Sequence, residues 1–206
     1  MLLQAAANYP VETFVLENDP GCPAAHLCHH FTKGDIRDFE TVYDFGKDLD
    51  ALTIEIENVN IDALEKLEAE GVKVYPRPSV LRIIKNKISQ KQYYQSHQIP
   101  TAPFVITQQR TDLNQYENMF PAAHKIGEGG YDGRGVQLLN KKEDIPRGFD
   151  EPAVLESMIP VAKEIALMVA VNENGDTALY PPVDMVFDPY LNQLEYQLCP
   201  ADIDTK

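Results

Sequence analysis

Lys125-Ile126-Gly127-Glu128-Gly129-Gly130-Tyr131-Asp132-Gly133-Arg134-Gly135 places five glycines in eleven residues, between two segments that read as strands, Ala122–Ile126 and Gly135–Leu139. Glycine tolerates positive φ and close backbone approach, so such a loop can aim several N–H groups at phosphate oxygens while Lys125 supplies a point charge. A long hairpin turn is the other reading of the same residues. The spacing does not fit the P-loop pattern, and no single GxGxxG match here carries weight.

Outward from this loop the chain stays strand-rich. Phe104–Thr107, Ala153–Glu156 and Glu164–Val171 read as strands, and Ser79 to about Gln98 as a helix with Val80, Leu81, Ile84, Ile88 and Tyr94 apolar, Ser79 its N-cap, and Pro100 and Pro103 beyond its end. Farther upstream the pattern changes. Glu12–Leu16 and Ala51–Ile56 read as strands, and Asn60 caps a helix in which Ile61, Leu64 and Leu67 share a face. Lys66 faces Asp62 and Glu70, Gly71 ends that helix, and Val72–Pro76 follows as a strand. Alternating strands and helices predict parallel βαβ units, hence a Rossmann-like α/β layer over residues 1–78, followed by a second, α+β architecture over 79–206.

Composition narrows the partners. The 206 residues are enough to bury roughly 70% of the unfolded surface. Eighteen basic against thirty-two acidic side chains give a net charge of −14, which disfavours nucleic acid but leaves room for an anionic small molecule held by a few local cations. No apolar run reaches the roughly 20 residues of a membrane span, and Met1–Ala7 lacks the basic flank of a secretory signal. Three cysteines cannot all pair, and their scarcity fits the reducing cytoplasm. Cys22, His26, Cys28, His29 and His30 crowd nine residues without the distant second pair of a zinc site, and read as a packed loop and strand.

The order Lys87, then Lys125 with its glycine loop, then Glu156 closing a strand and Glu164 heading the next, resembles the ATP-grasp superfamily. Gly129–Gly135, Leu52–Val59, Ser89-Gln90-Lys91 and Ile99–Pro103 resemble its carboxyaminoimidazole ribonucleotide synthetase branch. The resemblance implies a pre-ATP-grasp domain over 1–78 and an ATP-grasp domain over 79–206, its small lobe about 103–163. It implies that Lys87 and Lys125 contact ATP phosphates, that the loop containing Gly130, Tyr131, Asp132, Gly133, Arg134 and Gly135 folds over them, and that backbone groups of Glu156, Ser157, Met158 and Ile159 read adenine. Glu164 would take the ribose hydroxyls, Asp184 would lie near the nucleotide, and Glu55 with Tyr131, Asp132 and Arg134 would hold 5-aminoimidazole ribonucleotide and the bicarbonate-derived group. Mg²⁺ would accompany ATP, and a homodimer is expected at full length. The implied reaction is ATP-dependent carboxylation of the ribonucleotide through carboxyphosphate.

The same residues have plainer roles to set beside these. Lys87 can be a solvated helix residue, Glu55 and Glu57 the polar face of a half-buried strand, and Glu164 a water-facing carboxylate. Tyr131 can pack against the loop, and Asp132 can pair with Arg134. Against the family pattern, the initial strand with its Gly-x-Leu-Gly-Arg turn, the Glu and Asn-Glu that hold Mg²⁺ and a C-terminal basic segment are all lacking, so this length of chain alone is expected to turn over ATP poorly. Another ATP-grasp ligase, of the glycinamide ribonucleotide transformylase or biotin carboxylase type, and a non-catalytic nucleotide-binding module are the alternatives.

Overall fold

The computed structural model of the chain describes residues 1–130, 135–188 and 193–203. Two compact units follow one another, Met1–Met158 and Ile159–Lys206.

The first unit opens with α1 (Leu2–Ala6), β1 (Phe14–Glu17), β2 (His30–Lys33), α2 (Phe39–Gly46), β3 (Ala51–Thr53), α3 (Ile61–Ala69) and β4 (Lys73–Tyr75). β1 pairs with β2 and β3 with β4, both in parallel. The predicted βαβ character is present, but as two parallel pairs rather than one continuous layer; among the described residues no strand bridges them. Strand β2 takes up the strand expected at the end of the Cys22–His30 segment, whereas helices α1 and α2 have no counterpart in the sequence reading. Helix α3 forms as expected. Asn60 Oδ1 accepts from Ala63 N at 2.9 Å, and Gly71 follows the helix at φ 102, a conformation that favours glycine. Its apolar face of Ile61, Leu64 and Leu67 is buried with Val42, Leu52, Val72, Val74 and Leu81 in one core. On the polar side Lys66 pairs with Glu70 at 2.6 Å, whereas Asp62 pairs with Arg82 instead.

The expected helix from Ser79 to Gln98 is two helices, α4 (Pro78–Lys85) and α5 (Lys87–Ser96), with Pro78 rather than Ser79 at the start. Asn86 makes the break in extended conformation, φ −116 and ψ 111. Three N–H groups at the start of α5, which a helix cannot bond internally, find other partners, and Gln90 N makes the first intrahelical bond. Asn86 Oδ1 accepts from Ile88 and Ser89 at 2.9 and 3.0 Å, Gln90 N reaches Asn86 O at 2.9 Å, and Lys87 N reaches Gly127 O at 2.8 Å. A capping side chain plus one long-range carbonyl thus outweigh the continuing apolar periodicity.

β5 (Phe104–Thr107), β6 (Ala122–Ile126), β7 (Val136–Leu139) and β8 (Ala153–Ser157) form an antiparallel sheet in the order β5-β8-β6-β7. Behind it Leu113, Ala122, Leu139, Ile145 and Leu155 make a second core. His124 is fully buried in this sheet; Phe149 N donates to its Nδ1 at 3.2 Å and Thr107 Oγ1 lies 2.9 Å from Nε2. Nδ1 must therefore accept, so the neutral ring carries its proton on Nε2.

The second unit contains β9 (Ile165–Ala166), the antiparallel pair β10 (Val169–Val171) and β11 (Thr177–Leu179), then β12 (Val183–Phe187) and β13 (Leu194–Leu198), with β13-β12-β9 as one antiparallel sheet. The predicted strand Glu164–Val171 is divided into β9 and β10. No helix among the described residues is long and apolar enough to cross a membrane.

Burial lowers the protonation of His124 from its ordinary 6.5 to about 4. The unfolded chain binds the proton more readily, so this contribution to stability is complete above about pH 6.5 and is lost as pH falls towards 4. Urea unfolding midpoints should drop across that window, and a His124→Asn chain, less stable at pH 7, should show a shallower decline.

Candidate functional site

Sheet register places the central ion cluster. Ala123 lies opposite Glu156 and Lys125 opposite Val154, so Lys125 and Glu156 are diagonal neighbours on one face, within reach of long side chains. Lys125 Nζ donates to Glu156 Oε2 at 2.8 Å. The other oxygen of the same carboxylate, Oε1, accepts from Lys91 Nζ at 2.6 Å. Lys91 comes from α5, is only 8% exposed, and also donates to Thr101 Oγ1 at 2.5 Å. The rings of Phe104 and Tyr94 lie 5.5 and 5.9 Å from its ammonium nitrogen. Burial pushes the Glu156 carboxyl up, but the hydrogen bonds from Lys125 and Lys91, reinforced by their charges, outweigh it and hold the group below its ordinary value.

Lys87 is the first residue of α5, one helical turn before Lys91 and on the same face. Its backbone bond to Gly127 O puts it beside the end of β6, two residues beyond Lys125. Asn86 Nδ2 donates to Glu128 Oε1 at 2.9 Å, so the start of α5 is tied to the base of the glycine-rich loop. At that base Gly129 has φ 78. A Cβ on Gly130 would stand 2.7 Å from Gly135 Cα, and one on Gly135 would stand 2.3 Å from Gly130 Cα. Glycine is therefore required at both ends because the two backbones touch. Tyr131, Asp132, Gly133 and Arg134 lie outside the described residues.

The backbone proposed to read adenine is partly engaged already. Glu156 sits in the ladder between β5 and β6, Ser157 N donates to Pro103 O and Met158 N to Pro121 O, each at 2.9 Å. The N–H of Ile159 has no partner among the described residues. Glu55 is not in a strand as expected: β3 stops at Thr53, and Glu55 is exposed in a bend. Beyond it a cavity of about 490 Å³ is lined by Arg37, Asn58, Asn60, Arg82, Lys85 and Glu128, among others.

In the second unit Glu164 precedes β9, and its carbonyl accepts from Met185 N at 3.0 Å. Asp184, on β12, is 8% exposed; its Oδ2 accepts from Lys163 Nζ at 3.1 Å and Asp202 N at 3.2 Å, while Oδ1 is buried without a partner among the described residues. In the Cys/His segment His29 bonds Thr13 Oγ1 at 2.8 Å and His30 pairs with Glu12 at 2.9 Å, tying β2 to the approach of β1. Among the described residues no three His, Cys, Asp or Glu side chains gather to hold a metal ion.

Comparison with known proteins gives two domain matches. Residues 1–85 match the ribonucleotide synthetase preATP-grasp domain, and residues 92–206, more than half the chain, match the ATP-grasp domain. The chain is 32% identical over 195 residues to the chloroplastic phosphoribosylaminoimidazole carboxylase of Vigna aconitifolia, covering 90% of this chain and 34% of that protein. It is 26% identical to the N5-carboxyaminoimidazole ribonucleotide synthase of Staphylococcus aureus (strain COL), covering 99% of this chain and 55% of that protein. Among solved structures, the N5-carboxyaminoimidazole synthase of Aspergillus clavatus in complex with ADP and 5-aminoimidazole ribonucleotide superposes with a TM-score of 0.78 at 27% identity, over 92% of this chain and 51% of that one. The chain thus spans between about a third and about half the length of these relatives.

Gly135→Ala should cost stability, because a Cβ there collides with backbone rather than with a side chain that can swing away. Overpacking of this kind costs about 1–3 kcal/mol. Thermal melts check it; an unchanged midpoint would mean that the loop ends are not in contact.

Proposed function

The chain belongs to the ATP-grasp family, and on that premise we propose that it forms the nucleotide-gripping part of an enzyme that uses ATP to join bicarbonate to the amine of 5-aminoimidazole ribonucleotide. The observation that carries this reading is the Lys125–Glu156–Lys91 cluster at the root of the glycine-rich loop, in a chain similar to a protein crystallised with ADP and that ribonucleotide.

Lys125 and Lys87 would meet the phosphates. Lysine is a compact cation suited to them, and phosphoryl transfer depends on positioning and charge neutralisation more than on a protein nucleophile. A bicarbonate oxygen attacks the γ-phosphorus and ADP departs. The ribonucleotide amine then attacks the carboxyl carbon of carboxyphosphate, inorganic phosphate leaves, and the amine gives up a proton. The loop from Gly130 to Gly135, including Tyr131, Asp132 and Arg134, would shield the labile intermediate from water. With the Ser157 and Met158 N–H groups already engaged, Ile159 N–H is the donor left for adenine, beside carbonyl acceptors of the same segment. Glu164 would accept from ribose hydroxyls and Asp184 would take a further donor of the nucleotide. Glu55 and the neighbouring cavity would hold the ribonucleotide. Mg²⁺, a homodimeric assembly and a cytoplasmic location belong to the same proposal, as does slow turnover by this length of chain, so binding is the first test.

Calorimetry should show ATP binding to the chain, and Lys125→Met should weaken it. A charge-assisted hydrogen bond is worth about 1.5–3 kcal/mol, so the loss should be roughly tenfold to a hundredfold. ADP release should require bicarbonate and should rise when 5-aminoimidazole ribonucleotide is added. Release supported by glycinamide ribonucleotide in its place would reassign the acceptor, and absence of ATP binding would sink the proposal.

A further inference from the structure

Lys91 takes no part in the roles above, yet it is the most buried lysine of the cluster. With its side chain 10% exposed, it holds Glu156 Oε1 and Thr101 Oγ1. Those two bonds and the flanking rings of Phe104 and Tyr94 leave its ammonium occupied and enclosed. Lys125 is different. Its side chain is 33% exposed, and its one side-chain partner among the described residues is Glu156 Oε2. An ammonium has three N–H donors, so Lys125 keeps two for a ligand.

Charge counting gives the consequence. One carboxylate faces two ammonium groups, leaving the trio at +1. Without Lys91, Glu156 would face Lys125 alone and cancel it, and an approaching polyphosphate would meet a neutral pair. We propose that Lys91 is a positioning residue: by engaging one oxygen of Glu156 it aims the other at Lys125 and leaves the charge of Lys125 available to a nucleotide polyphosphate. This rests on the nucleotide-binding reading given above. Lys91 acts through Glu156 and touches no substrate. The position is set by the fold, since Lys91 stands one turn after Lys87 on α5 and reaches β8 only because Asn86 fixes where that helix begins.

The test compares ATP with adenosine, which has the same base and sugar but no phosphate. Calorimetry on the unsubstituted chain, Lys91→Met and Lys91→Arg measures both ligands, with a thermal melt of each protein. The expected result is ATP affinity about tenfold or more weaker in Lys91→Met, a change of about 1.4 kcal/mol or more. Adenosine affinity should stay within about twofold, and Lys91→Arg should restore ATP binding to within about threefold. Should Lys91→Met fail to fold, Lys91→Gln serves, because its amide can still donate to Glu156 and Thr101 without a charge. Equal losses for ATP and adenosine, or no loss for either, would overturn the proposal in favour of a purely structural lysine. If the unsubstituted chain binds no ATP, the nucleotide reading fails first and this inference with it, so the wild-type arm separates the two failures.

Discussion

A carboxylate that is mostly out of water is costly unless something answers its charge, and Glu156 is answered twice, by Lys91 at 2.6 Å and Lys125 at 2.8 Å. The rest of the first unit is arranged so that both can reach it. Strand order β5-β8-β6-β7 puts β8 in the interior of its sheet, and the β6–β8 register sets Lys125 on the diagonal from Glu156. A one-residue slip would turn Lys125 to the opposite face and leave the carboxylate with one partner. Removing either partner from such a group also costs more than the pair contributes, because a desolvated charge stays behind.

The helix side of the cluster is fixed by equally local chemistry. Asn86 closes α4, caps α5 and bonds Glu128, while Lys87 N bonds Gly127. These few bonds set the axial position of α5 against β6, so Lys87 meets the loop base and Lys91 meets Glu156. A continuous helix from Pro78 to Ser96 would have left Lys87 N bonded within the helix, with nothing to tie it to Gly127. The break is therefore what connects two basic residues of a helix to a third on a strand.

The sequence made some of this legible and hid the remainder for identifiable reasons. Asn60 and Gly71 bracket α3 because capping and left-handed termination are local, and a window of a dozen residues contains all the determinants. The break at Asn86 is hidden because Val80, Leu81, Ile84, Ile88 and Tyr94 carry one apolar rhythm straight through it, and the long-range partners that fix it, Glu128 for Asn86 and Gly127 for Lys87 N, lie on a distant part of the chain. Asp62 was matched to Lys66 by spacing, yet Arg82 takes it from the next helix. Lys91 stood in a recognised run, Ser89-Gln90-Lys91, but a buried lysine acquires meaning only when strand order brings a carboxylate opposite, and that is a non-local fact. Glu55 followed the alternation of Ile54 and Ile56 as though in a strand; β3 ends at Thr53, and alternation alone does not force pairing. Tyr131, Asp132, Gly133 and Arg134 carried much of the resemblance and lie outside the described residues.

The glycine-rich loop shows why residue type underdetermines role. Five glycines in eleven residues fit a phosphate cradle and a long turn equally well, and two of them have a steric duty independent of any ligand. Gly130 and Gly135 are in backbone contact, so a hairpin with this crossing would need glycine at both positions even if it never met a nucleotide. What separates the readings is charge rather than glycine. A hairpin that serves only as a turn has no use for a desolvated carboxylate between two lysines at its root, since an apolar substitute would pack there at lower cost. A polyphosphate site does, because a cation held by such a carboxylate is pre-oriented, and a second cation keeps it from being neutralised. Glu156 and its two lysines therefore mark the place for a polyphosphate, with the glycines supplying access.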